Sequence, residues 1–285
     1  MDKLYSEPLK RKKCFMERAM NRHDVKAIHS YVVDEEKKKI SLKLINKLYR
    51  FLSKYYHLAS QEEFIRFIIQ PDLYGELTVL YGENKEIAGF SRNCRQSVDL
   101  GKKQVTCYIA YLYLNPEYQI HASIKSAGLT QAIKYKLANP HEELVYIAFA
   151  NNPLTYEFIY QLSDLIYPKP LQRVPDQILT VLNALKKQNG WISTNNHPMV
   201  VNSPLVPLRS QLSRINEESS ELKEFYISAN PDYLQGNSVL VYMPLHLANI
   251  GYGLNHYDSD PYHNQKQHHQ GPSHRKCSPD PDLRN

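Results

Sequence analysis

Residues 111–129, YLYLNPEYQIHASIKSAGL, contain the residue types and spacing that could bind an anionic ligand. A mostly apolar run ends at Asn115 and Pro116, and helical spacing begins at Ser123. A helix N-terminus presents unpaired backbone N–H groups and a partial positive charge, so a short loop between a buried strand and a helix can receive a diphosphate. The sequence therefore predicts either a phosphate-binding loop at residues 119–124 or a plain strand, turn and helix.

Metal-binding side chains are present, but their spacing does not favour a metal site. Five histidines lie from residue 256 onward, in a segment with almost no aliphatic residues. They show no regular ligand spacing, which favours a flexible polar tail over metal binding. The four cysteines form no C-x-x-C pair, so free thiols are favoured over disulfides or a zinc knuckle. We therefore expect no metal.

A base that could take a proton from an amine is not obvious in the central apolar segment. Residues 104–114 contain no Asp, Glu or His. Glu76 and Glu86 flank a predicted hairpin, where carboxylates are usually solvated. His121 lies in the loop, where a surface or phosphate-contacting role is favoured over general base catalysis.

The elements that must position these residues follow from the hydrophobic spacing. Ser41 precedes an apolar helical stripe, and Ser60 has Glu63 three residues later, which is the spacing of a capping box. The segments that follow are predicted as a hairpin at residues 77–81 and 86–90, a buried strand at 104–114, a helix at 123–138, a strand at 143–150 and a helix from Pro153. The order is α-α-β-β-β-α-β-α.

The remaining chain contributes fewer clear elements. A helix is predicted within residues 175–189, with Gly190 as its C-terminal stop, and strands are predicted at 224–228 and 238–245. We divide the chain into a basic N-terminal arm at 1–39, a core domain at 40–168, an extension at 169–255 packed on that domain, and a disordered tail at 256–285. We predict that the strands at 104–114 and 143–150 are adjacent, parallel and splayed at their C-terminal ends.

Together with this element order, residues 116–124 resemble the central motif of the GNAT superfamily of N-acetyltransferases. That motif is Pro-x-x-[Arg or Gln]-x-x-Gly-x-[Gly or Ala], and the sequence here is PEYQIHASI. Gln119 fits the motif, Ala122 is a small substitute for the first Gly, and Ile124 departs from the second small position. The resemblance implies a mixed-sheet α/β (α+β) fold of GNAT type, followed by a C-terminal extension.

The resemblance also implies a cosubstrate and a set of site residues. The cosubstrate would be acetyl-CoA or another acyl-CoA, and the acceptor an amine. The pantetheine would pair with the backbone of residues 112–114, and the general acid toward the thiolate would be Tyr160, which lies one residue out of place. The implied cofactor-binding residues are Leu112, Leu114, Gln119, Ile120, His121, Ala122, Ser123, Ile124 and Asn151.

Composition limits the partners that we expect. The net charge of +6 is concentrated partly in residues 10–13 and 37–39, which favours a solvated basic arm over nucleic-acid or anionic-membrane contact. No apolar run approaches the roughly 20 residues of a membrane span. Residues 1–8 contain no apolar segment after their charges, which disfavours a cleaved secretory signal, so we expect a cytoplasmic protein. The polar tail also fits a bacterial effector exported by a specialised secretion system. The alternative to an enzyme is a catalytically inactive GNAT-fold protein that binds a protein partner.

Overall fold

A computed structural model describes most of the chain between residues 23 and 246. The described residues are 23–33, 40–58, 60–70, 73–115, 117–119, 122–194, 197–203, 205–208 and 220–246. The basic runs at 10–13 and 37–39 and the tail at 256–285 therefore lie outside the described residues.

The described chain contains both strands and helices. The strands are β1 (His23–Asp24), β2 (Ala27–Val33), β3 (Tyr56–His57), β4 (Gly75–Tyr81), β5 (Ile87–Asp99), β6 (Gln104–Leu114), β7 (Tyr118–Gln119), β8 (Glu143–Ala150), β9 (Val200–Asn202), β10 (Val206–Pro207) and β11 (Asn237–Pro244). The helices are α1 (Leu42–Leu52), α2 (Gln61–Phe64), which continues as a π-helix (Ile65–Ile69), α3 (Ala122–Ala138), α4 (Pro153–Tyr160), α5 (Asp176–Asn189), α6 (Glu221–Ala229) and a 3-10 turn (Tyr233–Gln235). No helix among the described residues is long and apolar enough to cross a bilayer.

Seven of the strands form one mixed sheet in the order β2-β4-β5-β6-β8-β11-β9. Neighbouring strands are antiparallel except β6 and β8, which are parallel and are joined through α3. The predicted adjacency of residues 104–114 and 143–150 is therefore confirmed. The predicted fold class, a mixed α/β sheet, and the predicted order of the main helices and strands are confirmed as well.

The sheet extends beyond the predicted core domain on both sides. β2 lies inside the segment assigned to a basic arm, yet it pairs with β4 along its whole length. At the other side β11 pairs with β8 and β9 pairs with β11, although both come from the predicted extension. The boundaries at residues 39 and 168 therefore fall within one sheet. Strand pairing between distant segments leaves no local signal in the sequence, so the hydrophobic pattern alone does not show which segments share a sheet.

The helices cover the sheet on two faces, which we call the first face and the second face. On the first face α1, α2 and α5 bury apolar residues such as Leu48, Phe64 and Leu182 against the sheet. On the second face α3, α4 and α6 pack side chains such as Ala132 and Tyr156. Both faces of the central strands are thus buried, as the near-continuous apolar runs predicted.

Capping residues account for several of the helix starts. The Ser41 hydroxyl accepts a hydrogen bond from the backbone N–H of Leu44 at 3.3 Å, and Ser60 accepts one from Glu63 at 3.1 Å. Each bond satisfies a backbone N–H that the helix itself leaves unpaired. Gly190 has φ of +65° and ends α5 in the left-handed conformation that favours glycine. These predicted boundaries are confirmed.

The strand predicted at residues 224–228 is wrong, because these residues lie in α6. Ser220 caps that helix, its hydroxyl accepting from the backbone N–H of Lys223 at 3.1 Å. The aromatic and β-branched residues at 225–227 are typical of strands, but tertiary packing overrides that preference. Tyr226 in particular is fully buried against the second face.

Candidate functional site

The parallel pairing of β6 and β8 ends near the C-terminal ends of both strands, and we call the region beyond it the cleft. The parallel ladder joins the two strands as far as the pair of Tyr111 and Phe149. Beyond it, β6 stays paired with β5 to Leu114, whereas Ala150 pairs with Val239 of β11. The parallel ladder therefore stops one residue before the end of β8, and the splay of the two strands stays a prediction. The last three residues of β6, about 10 Å of strand, continue past the ladder along one side of the cleft. Residues 150–152 form the other side.

Two stacked aromatic rings lie where the parallel ladder stops, which we call the closed end of the cleft. The rings of Tyr111 and Phe149 lie 4.6 Å apart at 19°, and Trp191 packs edge-on against Phe149 at 5.0 Å. The side-chain amide of Gln70 donates to the Tyr111 hydroxyl at 3.1 Å. Burial raises the pKa of Tyr111 above its usual range. The stack is thus fixed by packing on one ring and by a hydrogen bond on the other.

Tyr56 lies at the first-face side of the cleft. Its hydroxyl accepts a hydrogen bond from the Asn152 amide at 3.4 Å, and its ring packs edge-on against Tyr113 at 6.0 Å. Burial raises the pKa of Tyr56 to about 12, and hydrogen bonds from Asn152 and Asn151 reduce the shift. The hydroxyl is therefore protonated at neutral pH, so it can donate a proton or a hydrogen bond to a bound group.

The segment that carries Tyr56 is held by a small second sheet. Val206 and Pro207 of β10 pair with β3, and the backbone N–H of Leu208 donates to the Tyr55 carbonyl at 3.0 Å. The loop after α1 and the loop after β9 are thereby joined beside the cleft. This pairing fixes where the Tyr56 ring can lie.

Tyr226 of α6 closes the second-face side of the cleft. Its hydroxyl donates to the Ala150 carbonyl at 3.0 Å and accepts from the Asn230 amide at 3.1 Å. Burial raises its pKa well above the usual range, and the nearby Tyr56 hydroxyl adds to the shift. Sequence reasoning missed both Tyr56 and Tyr226, because a chain with 22 tyrosines offers no local signal that distinguishes them.

Most of the cofactor-binding residues predicted from the sequence lie at this end of the sheet. Leu112 and Leu114 are half-buried along the cleft edge, and Asn151 follows β8. The Asn151 side-chain oxygen accepts from the Asn152 amide at 3.1 Å and from the Thr155 hydroxyl at 3.4 Å. Asn151 therefore helps to fix the first turn of α4, which begins beside the cleft.

The predicted diphosphate loop is described only in part. Ala122, Ser123 and Ile124 form the first turn of α3, which begins eight residues after the end of β6. Gln119 belongs to β7, which pairs with β1 at Asp24. Ile120 and His121 lie outside the described residues.

Tyr160, the predicted general acid, lies at the C-terminal end of α4. The helix begins beside the cleft with Asn152 as its cap, so Tyr160 is about 10 Å further along the axis. Its described contacts are the Tyr156 ring at 6.0 Å and the Lys169 ammonium, 5.8 Å from the ring centre. Tyr156 is fully buried, and its hydroxyl donates to the Pro168 carbonyl at 2.8 Å.

A second cluster anchors the loop that leads into α3. The buried Tyr118 donates a hydrogen bond from its hydroxyl to the Glu86 carboxylate, which lowers the pKa of Glu86. The backbone N–H of His23 donates to the Glu117 carbonyl at 2.9 Å, so β1 also holds this loop. The Glu86 carboxylate is therefore engaged by Tyr118. Glu76 is buried in β4, two strands away from β6.

Comparisons with known proteins find similarity in structure only. No protein-family model and no curated protein matches the sequence. A mutant AtaT toxin, solved with the C-terminus of the antitoxin AtaR and acetyl-CoA, is 12% identical with a TM-score of 0.30, over 66% of this chain and 98% of that one. A protein described as a phosphinothricin N-acetyltransferase is 12% identical with a TM-score of 0.27, over 52% and 90%.

A third similar structure is malonyl-CoA decarboxylase from Rhodopseudomonas palustris. It is 9% identical with a TM-score of 0.34, over 90% of this chain and 69% of that one. Similarities of this size assign no family. The function has to be inferred from the cleft itself.

Proposed function

We propose that this protein is an acyl-CoA-dependent N-acyltransferase that transfers an acyl group to an amine. The observation that carries the proposal is the end of the parallel ladder between β6 and β8 at Tyr111 and Phe149, after which β6 continues to Leu114 before the connection to α3. A strand edge released from its neighbour exposes backbone groups that need partners. The amide groups of a pantetheine chain supply such partners.

Each part of an acyl-CoA has a matching element in this arrangement. The pantetheine would lie along residues 112–114, and the diphosphate would bind at the N-terminal turn of α3, where backbone N–H groups and the helix dipole favour anions. The thioester would then face the closed end of the cleft. The amine nitrogen attacks the thioester carbonyl, the carbon–sulfur bond breaks, and the thiolate leaves with the bonding electrons. The nitrogen loses one proton as the amide forms and the thiolate gains one, so a group that protonates the thiolate is restored by the proton from the nitrogen.

The departing thiolate needs a proton, and Tyr56 is the donor that we assign. Its hydroxyl lies beside Asn152 at the cleft and is protonated at neutral pH. Burial raises its pKa to about 12, so Tyr56 is a weaker acid than an ordinary tyrosine, and its assignment rests on its position. Tyr160 remains the donor that the resemblance implies. Its place at the far end of α4 favours Tyr56.

Calorimetric titration with acetyl-CoA tests the binding site. A carboxylate at position 122 would lie against the diphosphate, and like charges a few Å apart repel by several kcal/mol, so Ala122→Glu should abolish binding. Ile124→Gly should keep or tighten the affinity, because a smaller residue lets the phosphates approach the backbone. Ala138→Glu, at the other end of α3, adds the same charge as a matched control and should leave the affinity unchanged. Equal affinity of Ala122→Glu and Ala138→Glu would reject the site.

The second candidate is a binding protein that has the cleft but does not catalyse acyl transfer. It is favoured by the carboxylates that the sequence singled out, since Glu86 is bound to Tyr118 and Glu76 is buried two strands from β6. Such a protein would bind a partner and would bind CoA without transfer. Acetyl-CoA binding without release of free thiol in the presence of a panel of primary amines would favour this candidate.

A further inference from the structure

The closed end of the cleft is filled on the first face. Tyr111 and Phe149 are 5% and 7% exposed, and their rings stack in near-parallel contact. The side-chain amide of Gln70 donates a hydrogen bond to the Tyr111 hydroxyl, and it also donates to the Phe67 carbonyl at 2.9 Å. Trp191 packs against the edge of the stack. Neither ring can turn aside without breaking these contacts.

On the second face, aromatic side chains among the described residues cover the small residues of the sheet at the same level. The residues there are small, including Ala148 and Ala150, both of which are buried. Tyr226 fills the space above them, since it is fully buried and its hydroxyl is bonded to the Ala150 carbonyl. Tyr156 packs against Tyr226 with ring centres 5.8 Å apart. A chain extending beyond the closed end therefore meets aromatic side chains on both faces.

From this geometry we infer that the cleft admits only short acyl groups, and that Tyr111 and Phe149 set this limit. The inference rests on the proposed function, which places the thioester at the closed end. An acetyl group ends within reach of the stack, whereas a longer chain must push the rings apart. Close-packed interiors resist such insertion, because added methylenes force side chains off their rotamers.

A series of acyl-CoA thioesters tests the limit on the unmodified protein. Calorimetry with CoA, acetyl-CoA, butyryl-CoA and hexanoyl-CoA varies only the acyl group. We expect CoA and acetyl-CoA to bind with similar affinity and hexanoyl-CoA to bind about tenfold more weakly or worse, as a hydrophobic pocket discriminates by about 10- to 200-fold when methylenes do not fit.

A matched pair of variants tests which residues set the limit. Phe149→Leu removes ring volume from the stack and should reduce the difference between acetyl-CoA and hexanoyl-CoA. Phe64→Leu makes the same change in the same core cluster, where Phe64 packs against Tyr49 and Phe90 instead, and should leave the difference unchanged.

The outcomes separate this inference from the function on which it rests. Absence of binding by CoA and by every thioester overturns the acyltransferase, and the inference with it. Equal affinity for acetyl-CoA and hexanoyl-CoA overturns the inference alone. If hexanoyl-CoA is rejected but Phe149→Leu and Phe64→Leu behave alike, the assignment to the stack is overturned. If Phe149→Leu does not fold, the thioester series on the unmodified protein still tests the limit on acyl length. Tyr111→Leu then takes the place of Phe149→Leu in the comparison with Phe64→Leu.

Discussion

Replacing Arg92 by methionine removes a buried cation that ties several elements together. Its guanidinium is fully buried and donates to the backbone carbonyls of Ile69 at 2.6 Å, Asn93 at 2.5 Å, Gln70 at 3.0 Å and Leu73. These acceptors join the end of the π-helix after α2 to β5 and to the approach to β4. All four are carbonyls, so no carboxylate among them compensates the charge, and burial lowers the pKa of Arg92.

The expected loss follows from these contacts. Hydrogen bonds that involve a charged group contribute about 1.5–3 kcal/mol each, so four would contribute about 6–12 kcal/mol. Desolvation of the guanidinium costs several kcal/mol of that gain. We therefore expect Arg92→Met to lower the free energy of unfolding by about 3–5 kcal/mol, well above the roughly 1 kcal/mol of an average substitution.

Urea unfolding of Arg92→Met and Arg95→Met measures this difference on one strand. Arg95 is partly exposed, and its guanidinium lies over the rings of Tyr74 at 4.5 Å and Tyr135 at 4.8 Å. Its loss should cost about 1 kcal/mol. Equal destabilisation by the two variants, or a loss below about 1 kcal/mol for Arg92→Met, would refute the role given to the buried cation.

Three further predictions concern individual hydroxyl and carboxylate groups. If Tyr56 protonates the thiolate, Tyr56→Phe should lower kcat about 100-fold or more, while Tyr160→Phe should change it little. The assay measures thiol release from acetyl-CoA in the presence of a panel of amines. The reverse pattern would return the role to Tyr160. Tyr156→Phe should lower the free energy of unfolding by about 1–2 kcal/mol, because the buried Pro168 carbonyl loses its donor; an unchanged urea midpoint would argue against that bond. The ionised carboxylate of Glu86 stabilises the fold, because the hydrogen bond from Tyr118 lowers its pKa from the ordinary value of 4.5. This stabilisation is present above pH 4.5 and is lost as the pH falls through the lowered pKa. Thermal melts of Glu86→Gln across an acid titration should lack this loss.

Local signals in the sequence determined most individual elements. The strand at 104–114 and the strand at 143–150 have the predicted bounds, because apolar runs on both faces and flanking Gly or Pro mark a buried strand without reference to the rest of the chain. Side-chain caps at Ser41 and Ser60 likewise act on N–H groups within three residues. Parallel pairing of the two strands also followed from the sequence, since a strand, helix and strand in this order favour it.

Tertiary structure alone decided the extent of the sheet and the composition of the cleft. β2 and β11 join strands that are distant in sequence, and residues 224–228 became helix because Tyr226 packs on the second face. The cleft combines Tyr56 with Asn152, which lies 96 residues later, and Tyr111 with Phe149. Nothing in the sequence distinguishes Tyr56 and Tyr111 from the other tyrosines. Only burial, the direction of each side chain and the point where β6 leaves β8 distinguish the ones that line the cleft, and those properties arise from packing between distant segments.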